Sequence, residues 1–252
     1  MSSKISALII AKNEHDNITE CLKSVSFCDE VIVIDDFSDD DTVELAQSLG
    51  ATIYQRAMNG DYGAQQNFAI SKAKNPWLLL IDCDERITEP LKNEILQVVQ
   101  NPPLVAYQIK RLNHFNAKRV YFGTMRPDYV CRLIPREGTS IQGKVHQKTQ
   151  HPYSEDKLKN GMLHYTYQSW EEYYAKFDRY TQLSAEKYLF EGKTSHFFLD
   201  LTLKPLWSFI KMYFIHLGFL DGKLGFVLAK NHYFYTYTKY MRFYYLQHPI
   251  VK

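Results

Sequence analysis

An α/β fold built on a largely parallel sheet is what the first hundred residues predict, and three observations carry that prediction. Short apolar runs recur at 5–11 ("ISALIIA"), 30–36 ("EVIVIDD"), 51–56 ("ATIYQR") and 77–82 ("WLLLID"). Segments with helical spacing separate them, which is the mark of βαβ units. The runs are continuous rather than alternating, as in strands covered on both faces.

The connecting segments justify the same reading one by one. In 13–25 the residues Ile18, Leu22 and Val25 recur as on one helix face. Residues 38–50 place an acidic turn before Val43, Leu45, Ala46 and Leu49, with Gly50 as the expected C-cap. A third helix is expected over 63–74. From 104 to 150 the text turns to short β-like runs with basic residues between them, an antiparallel extension of the same domain. Beyond Ser169 it is helical. Tyr173, Phe177, Tyr180 and Leu183 fall at helical spacing, and a last pair of aromatic helices is expected over 196–218 and 222–246. There is no internal repeat. The expected domains are thus 1–168, catalytic, and 169–252, a helical, aromatic-rich extension. The first divides into a nucleotide-binding half, 1–100, and an acceptor-side half, 101–168.

Composition narrows the partners. The 252 residues are 45% apolar, enough for a sizeable core, and the formal charge of +2 selects no partner by itself. No nucleic-acid partner is expected. Four cysteines, Cys21, Cys28, Cys83 and Cys131, form no CxxC pair and no metal-ligand spacing, so they read as reduced thiols. The first apolar run is too short for a secretory signal, and a cytoplasmic location is expected. The run 199–220 carries Asp200, Lys204, Pro205 and Lys211, so it is not a spanning helix.

The chemistry collects at strand ends. In open α/β sheets ligands bind beyond the carboxyl ends of the strands, and there this sequence places Asn13-Glu14, Asp35-Asp36 and Asp82-Asp84. Isolated buried carboxylates are costly, so three acids within "DCDE" need a reason. Alternate residues of an extended chain point the same way. Asp82 and Asp84 can then reach one ion, and two hard oxygens suit Mg²⁺ or Mn²⁺ bridging a diphosphate. A solvated turn with a capping role is the competing account.

"ALIIAKNE", "VIVIDDFSDDDT" and "WLLLIDCDE" resemble, in order and spacing, the N-terminal signature of family 2 glycosyltransferases, which have the GT-A nucleotide-diphospho-sugar transferase fold, a Rossmann-like mixed sheet. "PDYVCRLIPR", "KVHQ", "LHYTYQS" and "LDGKLGFVLA" resemble segments of lipopolysaccharide core heptose β-1,4-glucosyltransferases, so the likeness spans nearly the whole chain. It implies that Asp35, with Asp36, accepts hydrogen bonds from the uracil and ribose of a UDP-sugar. Asn13, Glu14, Gln66, Asn67 and Asp82 would line the same nucleotide pocket. Asp82 and Asp84 would be the metal-binding DxD motif, and Glu85 would shape the donor-sugar side. His146 would complete the metal shell as a neutral imidazole. Two positions depart from the family: Gln66 stands where Arg is usual, and Gln147 stands where a Glu follows the His.

An inverting transfer needs a base for the acceptor hydroxyl, and a Gln cannot serve. Asp128 is the candidate, with Arg126 and Arg132 near in sequence to keep it ionised. The expected reaction is metal-dependent transfer of a hexose, glucose from UDP-glucose, to a heptose of the lipopolysaccharide inner core, with stabilisation of the departing UDP dominating the rate. Lys110, Arg111, Lys118, Arg119, Arg126, Arg132, Arg136 and Lys144 suit an anionic glycolipid acceptor. Aromatic residues from Trp207 to Tyr245, interleaved with lysines, suit peripheral attachment to the cytoplasmic membrane. The same fold with another nucleotide-sugar or acceptor stays open, as does a non-catalytic nucleotide-sugar-binding protein, which Gln66 and Gln147 motivate.

Overall fold

The structure is a computed structural model that describes residues 4–100, 104–143 and 148–249. Its first half runs β1 (Ile5–Ala11), α1 (His15–Ser24), β2 (Glu30–Asp35), α2 (Thr42–Ser48), β3 (Thr52–Gln55), α3 (Tyr62–Lys72), β4 (Trp77–Asp82), β5 (Glu85–Arg86) and α4 (Glu89–Val98). The middle holds β6 (Val105–Phe115), β7 (Lys118–Arg119), β8 (Asp128–Pro135), β9 (Ser140–Gln142), β10 (Lys148–Gln150) and β11 (Ser154–Tyr167). Helices follow: α5 (Trp170–Phe190), α6 (Lys204–Ile210) and α7 (Gly222–Gln247).

The strand order is β3-β2-β1-β4-β8-β6-β11-β5. β1 pairs in parallel with β2 and with β4, and β2 with β3, so the connections through α1, α2 and α3 are crossovers between parallel strands. β8 then runs antiparallel to β4, with Leu79 opposite Leu133, and β6 antiparallel to β8. The sheet is therefore mixed, as the 104–150 pattern predicts. This is the GT-A arrangement.

Period-two alternation sorts the strand residues onto two faces. Ile5, Ala7, Ile9, Trp77, Leu79 and Ile81 pack with Ile18, Leu22, Leu91 and Ile95 of α1 and α4. Leu8, Ile32, Ile34, Leu78 and Leu80 pack with Ala69 of α3 on the other. Each such side chain taken from water contributes about 1.5–3 kcal/mol, so the central strands anchor the loops at their ends.

One local expectation shifts. Helix α2 begins at Thr42, four residues later than the 38–50 pattern suggests. Residues 38–41 instead shape a loop: Ser38 bonds the Asp35 carboxylate, and Asp40 accepts from the Thr42 amide at 3.0 Å. Gly50 follows the helix at φ +83°, where a glycine is favoured.

The chain divides into two compact units. One comprises Met1–Arg111 and Asp128–His164, the other Leu112–Pro127 and Tyr165–Lys252. The sequence expectation sets its boundary at 168/169 and keeps 112–127 with the catalytic part. In the second unit α5 packs along α7, with Phe177 edge-on to Tyr235 at 5.6 Å and Tyr188 edge-on to Phe243. The segment 199–215 is a continuous helix, wound as wide π-type turns on either side of α6.

Candidate active site

Three polar clusters sit at the carboxyl ends of β1, β2 and β4, and adjacency of these strands follows from their registers: Ala11 lies beside Asp35 and Ile10 beside Asp82. The Asp36 amide donates to the Ala11 carbonyl at 2.9 Å, continuing the ladder past the end of β2.

Asp35 is fully buried and saturated from within. Its oxygens accept from the Ser38 amide and hydroxyl and from the Gln55 amide at 3.1 Å. Asp36 accepts from the Met58 amide at 2.8 Å and pairs with Lys12 at 3.1 Å. The Met58 amide, with Lys12, outweighs burial and holds the Asp36 carboxyl below its ordinary range. Asn13 stands at φ +53° and receives the Asp39 amide at 3.0 Å, while Glu14 accepts from Asn17 at 2.9 Å. The loop is thus held together by its own side chains and backbone. Phe37, between the acids and Ser38, is held at φ +52° with its ring 57% exposed, a feature the sequence reading missed.

Of the α3 candidates, Asn67 is a clamp. Its amide donates to the Ile141 carbonyl and accepts from the Ile141 amide, both at 2.8 Å, fastening α3 to β9. That reciprocal pair occupies the amide expected to line the nucleotide pocket. Gln65 is buried against Arg56, whereas the Gln66 carbonyl oxygen is buried with no hydrogen-bond partner.

The DxD segment divides its labour. Cys83 is buried, with Asp82 and Asp84 partly open on either side of it. Asp82 Oδ1 accepts from the Tyr62 hydroxyl at 3.1 Å, and Oδ2 pairs with Arg132. Burial and the Asp82 charge push the Tyr62 phenol up, so it remains a donor. Arg132 Nη2 also donates to Glu85 Oε1 at 2.7 Å, and Glu85 accepts the Asp82 amide at 3.1 Å. Glu85 is fully buried. Its oxygens hold Arg132 and the motif's backbone. Burial raises the Glu85 carboxyl, opposed by Arg132. Desolvation alone would ease the proton off Arg132, but Asp82 and Glu85 outweigh it and the guanidinium stays charged.

Asp84 faces elsewhere. Its Oδ2 lies 3.3 Å from Nε2 of His164 on β11, within the "LHYTYQS" segment, where local sequence pattern carries no sign of this contact. Asp84 and His164 are the residues that would hold a divalent ion here, with water and phosphate oxygens supplying its remaining ligands. Asp82, beside this pair, is held by Arg132 and Tyr62. His146 lies outside the described residues, and among the described residues no group of three acid, His or Cys side chains gathers around one point.

Asp128 forms a fork with Arg111, at 3.0 Å and 2.5 Å. Burial works to raise its carboxyl, yet the Arg111 fork prevails and holds it below the ordinary range. Arg111 is thus the partner that keeps it ionised, in place of Arg126 and Arg132; Arg126 bonds His216 in the second unit. A carboxylate so engaged is a weak base, and it must leave the fork to take a proton.

A model of glycosyl transferase family 2 matches residues 6–170. The chain belongs to this family. An uncharacterized glycosyltransferase of Rickettsia conorii is 33% identical over 243 residues, covering 90% of this chain and 85% of its own length. The lipopolysaccharide core biosynthesis glycosyltransferase LpsC of Rhizobium meliloti is 26% identical over 248 residues, covering 95% and 92%. Glucosyl-3-phosphoglycerate synthase from Mycobacterium tuberculosis, solved with Mn²⁺ and UDP, is similar at a TM-score of 0.35 and 21% identity over 45% of this chain and 44% of its own. That last likeness adds nothing to the strand order already described. In this transferase Asn13-Glu14, Asp35-Asp36 and Asp82-Asp84 lie at the carboxyl ends of β1, β2 and β4, the edge where the sheet topology expects a ligand.

Proposed function

We propose that this family 2 glycosyltransferase moves a hexose, glucose from UDP-glucose, with inversion to a heptose of a lipopolysaccharide inner core, and that it depends on a divalent cation. The observation that carries this reading is the Asp84–His164 pair beside an Asp82 fixed by Arg132 and Tyr62. Such a site takes the diphosphate of a nucleotide-sugar. The likeness to LpsC along 95% of the chain supports the acceptor class. A cation between Asp84 and His164 would supply charge neutralisation to the leaving diphosphate. This chain's own residues do the rest. Asp36 forms an acidic floor for the nucleoside above the buried Asp35, which fixes the turn through Ser38 and Gln55, Tyr62 and Arg132 orient Asp82, and Asp128 becomes available as base if the acceptor's own anionic groups draw Arg111 away. Four free thiols agree with work at the cytoplasmic face of the membrane.

The test is UDP release by purified protein supplied with UDP-glucose, Mn²⁺ and a heptose-containing acceptor. Acceptor-dependent release should fall at least 10²-fold in Asp84→Ala, on the scale of losing one electrostatic stabiliser. His164→Ala should raise the Mn²⁺ concentration needed for half-maximal rate. Equal rates with and without a chelator would overturn the metal dependence. UDP-glucose binding without turnover on any acceptor would favour the non-catalytic reading.

A further inference from the structure

Part of the second unit's surface is unusually rich in large apolar side chains. Along 199–215, Leu199, Leu203, Leu206, Trp207, Phe214 and Ile215 are exposed, Trp207 at 57% and Ile215 at 55%. Leu199, Leu203 and Leu206 step by four and three residues, and Trp207, Phe214 and Ile215 carry the exposed apolar stretch on to the end of the segment. The buried positions of the same segment are Asp200, Pro205 and Ser208, two of the three polar. Asp200 is neutralised internally by Lys204 at 2.6 Å and by the His196 amide at 2.8 Å. The pattern continues past the turn with Phe219, Leu220, Phe226 and Phe234, all exposed. A contiguous apolar face of this kind marks an interaction surface.

Charge chooses the occupant. From residue 196 to 249 the sequence has two acids, Asp200 and Asp221, and both are buried. Asp221 accepts the Tyr121 and Phe122 amides. Lys211, Lys223 and Lys230 are exposed around the apolar face. A second copy related by a twofold axis would set these lysines against each other with no acid to answer them. An anionic bilayer meets both features, since it accepts the rings and attracts the lysines.

No described helix is long and apolar enough to cross a membrane alone, and the pair Leu199–Ile215 and Gly218–Gln247 is bent by 69°. We infer that this bent pair inserts its outer face into one leaflet of an anionic membrane, lying in the interface with Trp207 and Phe214 in the acyl boundary and Lys211, Lys223 and Lys230 at headgroup phosphates. The inference rests on the surface of the second unit and is independent of the donor and acceptor proposed above. Each lysine contributes about a fivefold gain on an anionic surface, so the three together give roughly a hundredfold preference over a neutral one at low salt.

Flotation of the full-length protein with phosphatidylcholine vesicles, and with vesicles that are 30% phosphatidylglycerol, tests this directly. The expected result is binding to the anionic vesicles at least tenfold tighter than to neutral ones, lost at least tenfold in Leu206→Glu/Trp207→Glu with unchanged far-UV dichroism. A second readout does not rely on that variant folding. Lipids brominated on the acyl chain should quench tryptophan emission in the natural protein and much less in Trp207→Phe. Absence of flotation, or quenching undiminished in Trp207→Phe, would overturn the inference. So would a stable dimer in vesicle-free buffer that Leu206→Glu/Trp207→Glu dissociates.

Discussion

Arg132 carries its charge to a place where 9% of its side chain meets solvent, and it does so between two acids, one of them, Glu85, fully buried. The desolvation cost of such a trio is recovered only while all of its members stand, so removing one partner exposes the whole penalty. Arg132→Met should therefore destabilise the first unit by about 3–5 kcal/mol at pH 7, measured by urea denaturation. The loss should shrink at pH 5. Without the guanidinium, Glu85 titrates still higher, accepts a proton as the pH falls and no longer buries a charge. Adding Glu85→Gln to the variant should restore a large part of the stability at neutral pH. A single-variant loss below about 1 kcal/mol would mean that the trio contributes nothing net, as exposed pairs do. Neither this trio nor the Asp84–His164 contact could be read from sequence. They join residues 50 and 80 positions apart through the β4–β8 register and the β5–β11 pairing. Local pattern says that a residue alternates across a strand, not which strand lies beside it.

At the scale of elements, the strands and most helices were legible because apolar periodicity is a local property that burial enforces. The expected last helices, 196–218 and 222–246, sit close to the observed 199–215 and Gly222–Gln247. What periodicity could not show was the direction of their faces. The 199–215 stripe reads identically whether it lines a core or faces outward, and only the burial of Asp200 and Ser208 decides it. The turn between these helices has a tight tolerance. A Cβ built on Gly225 would come within 1.9 Å of the Gly218 carbonyl oxygen and 2.9 Å of Asp221 Cβ. Helix propensity alone predicts that Gly225→Ala should stabilise α7 by about 1 kcal/mol. Packing reverses the sign, because the obstacle is backbone and the first turn of α7 must lift away. A net loss of about 1–3 kcal/mol is expected in thermal denaturation of the second unit. A gain would show that the turn 218–221 yields freely.

Across the whole molecule, the two units hold separate cores, one on each face of the sheet around Leu79 and Leu80, and another around Phe115, Val120, Met125 and Leu228. Their stabilities should consequently answer to different variables. The residues assigned to the nucleotide and its cation, Asp35, Asp36, Asp82, Asp84 and His164, all belong to the first unit. Ligand that binds only the folded state adds about 2.7 kcal/mol at a hundredfold excess over Kd, so UDP with Mn²⁺ should raise the first unit's melting temperature by roughly 5–10 °C. The second unit should answer to acid instead. Burial, helped by Lys239, Lys211 and His216, pushes His232 down to about 4 from 6.5. Between those values the unfolded chain binds a proton that the folded chain refuses, so stability is full above pH 6.5 and falls as the pH drops towards 4. The loss amounts to about 2–3 kcal/mol. In the first unit His15 works in the opposite sense, since its bond to Asp41 raises it and favours the fold as protons arrive. Scanning calorimetry at pH 7 and pH 5 should therefore show a transition that UDP with Mn²⁺ raises and a second that acid lowers, with His232→Gln abolishing most of the acid response. One transition that moves as a whole with both variables would mean that the two cores unfold as a single cooperative body.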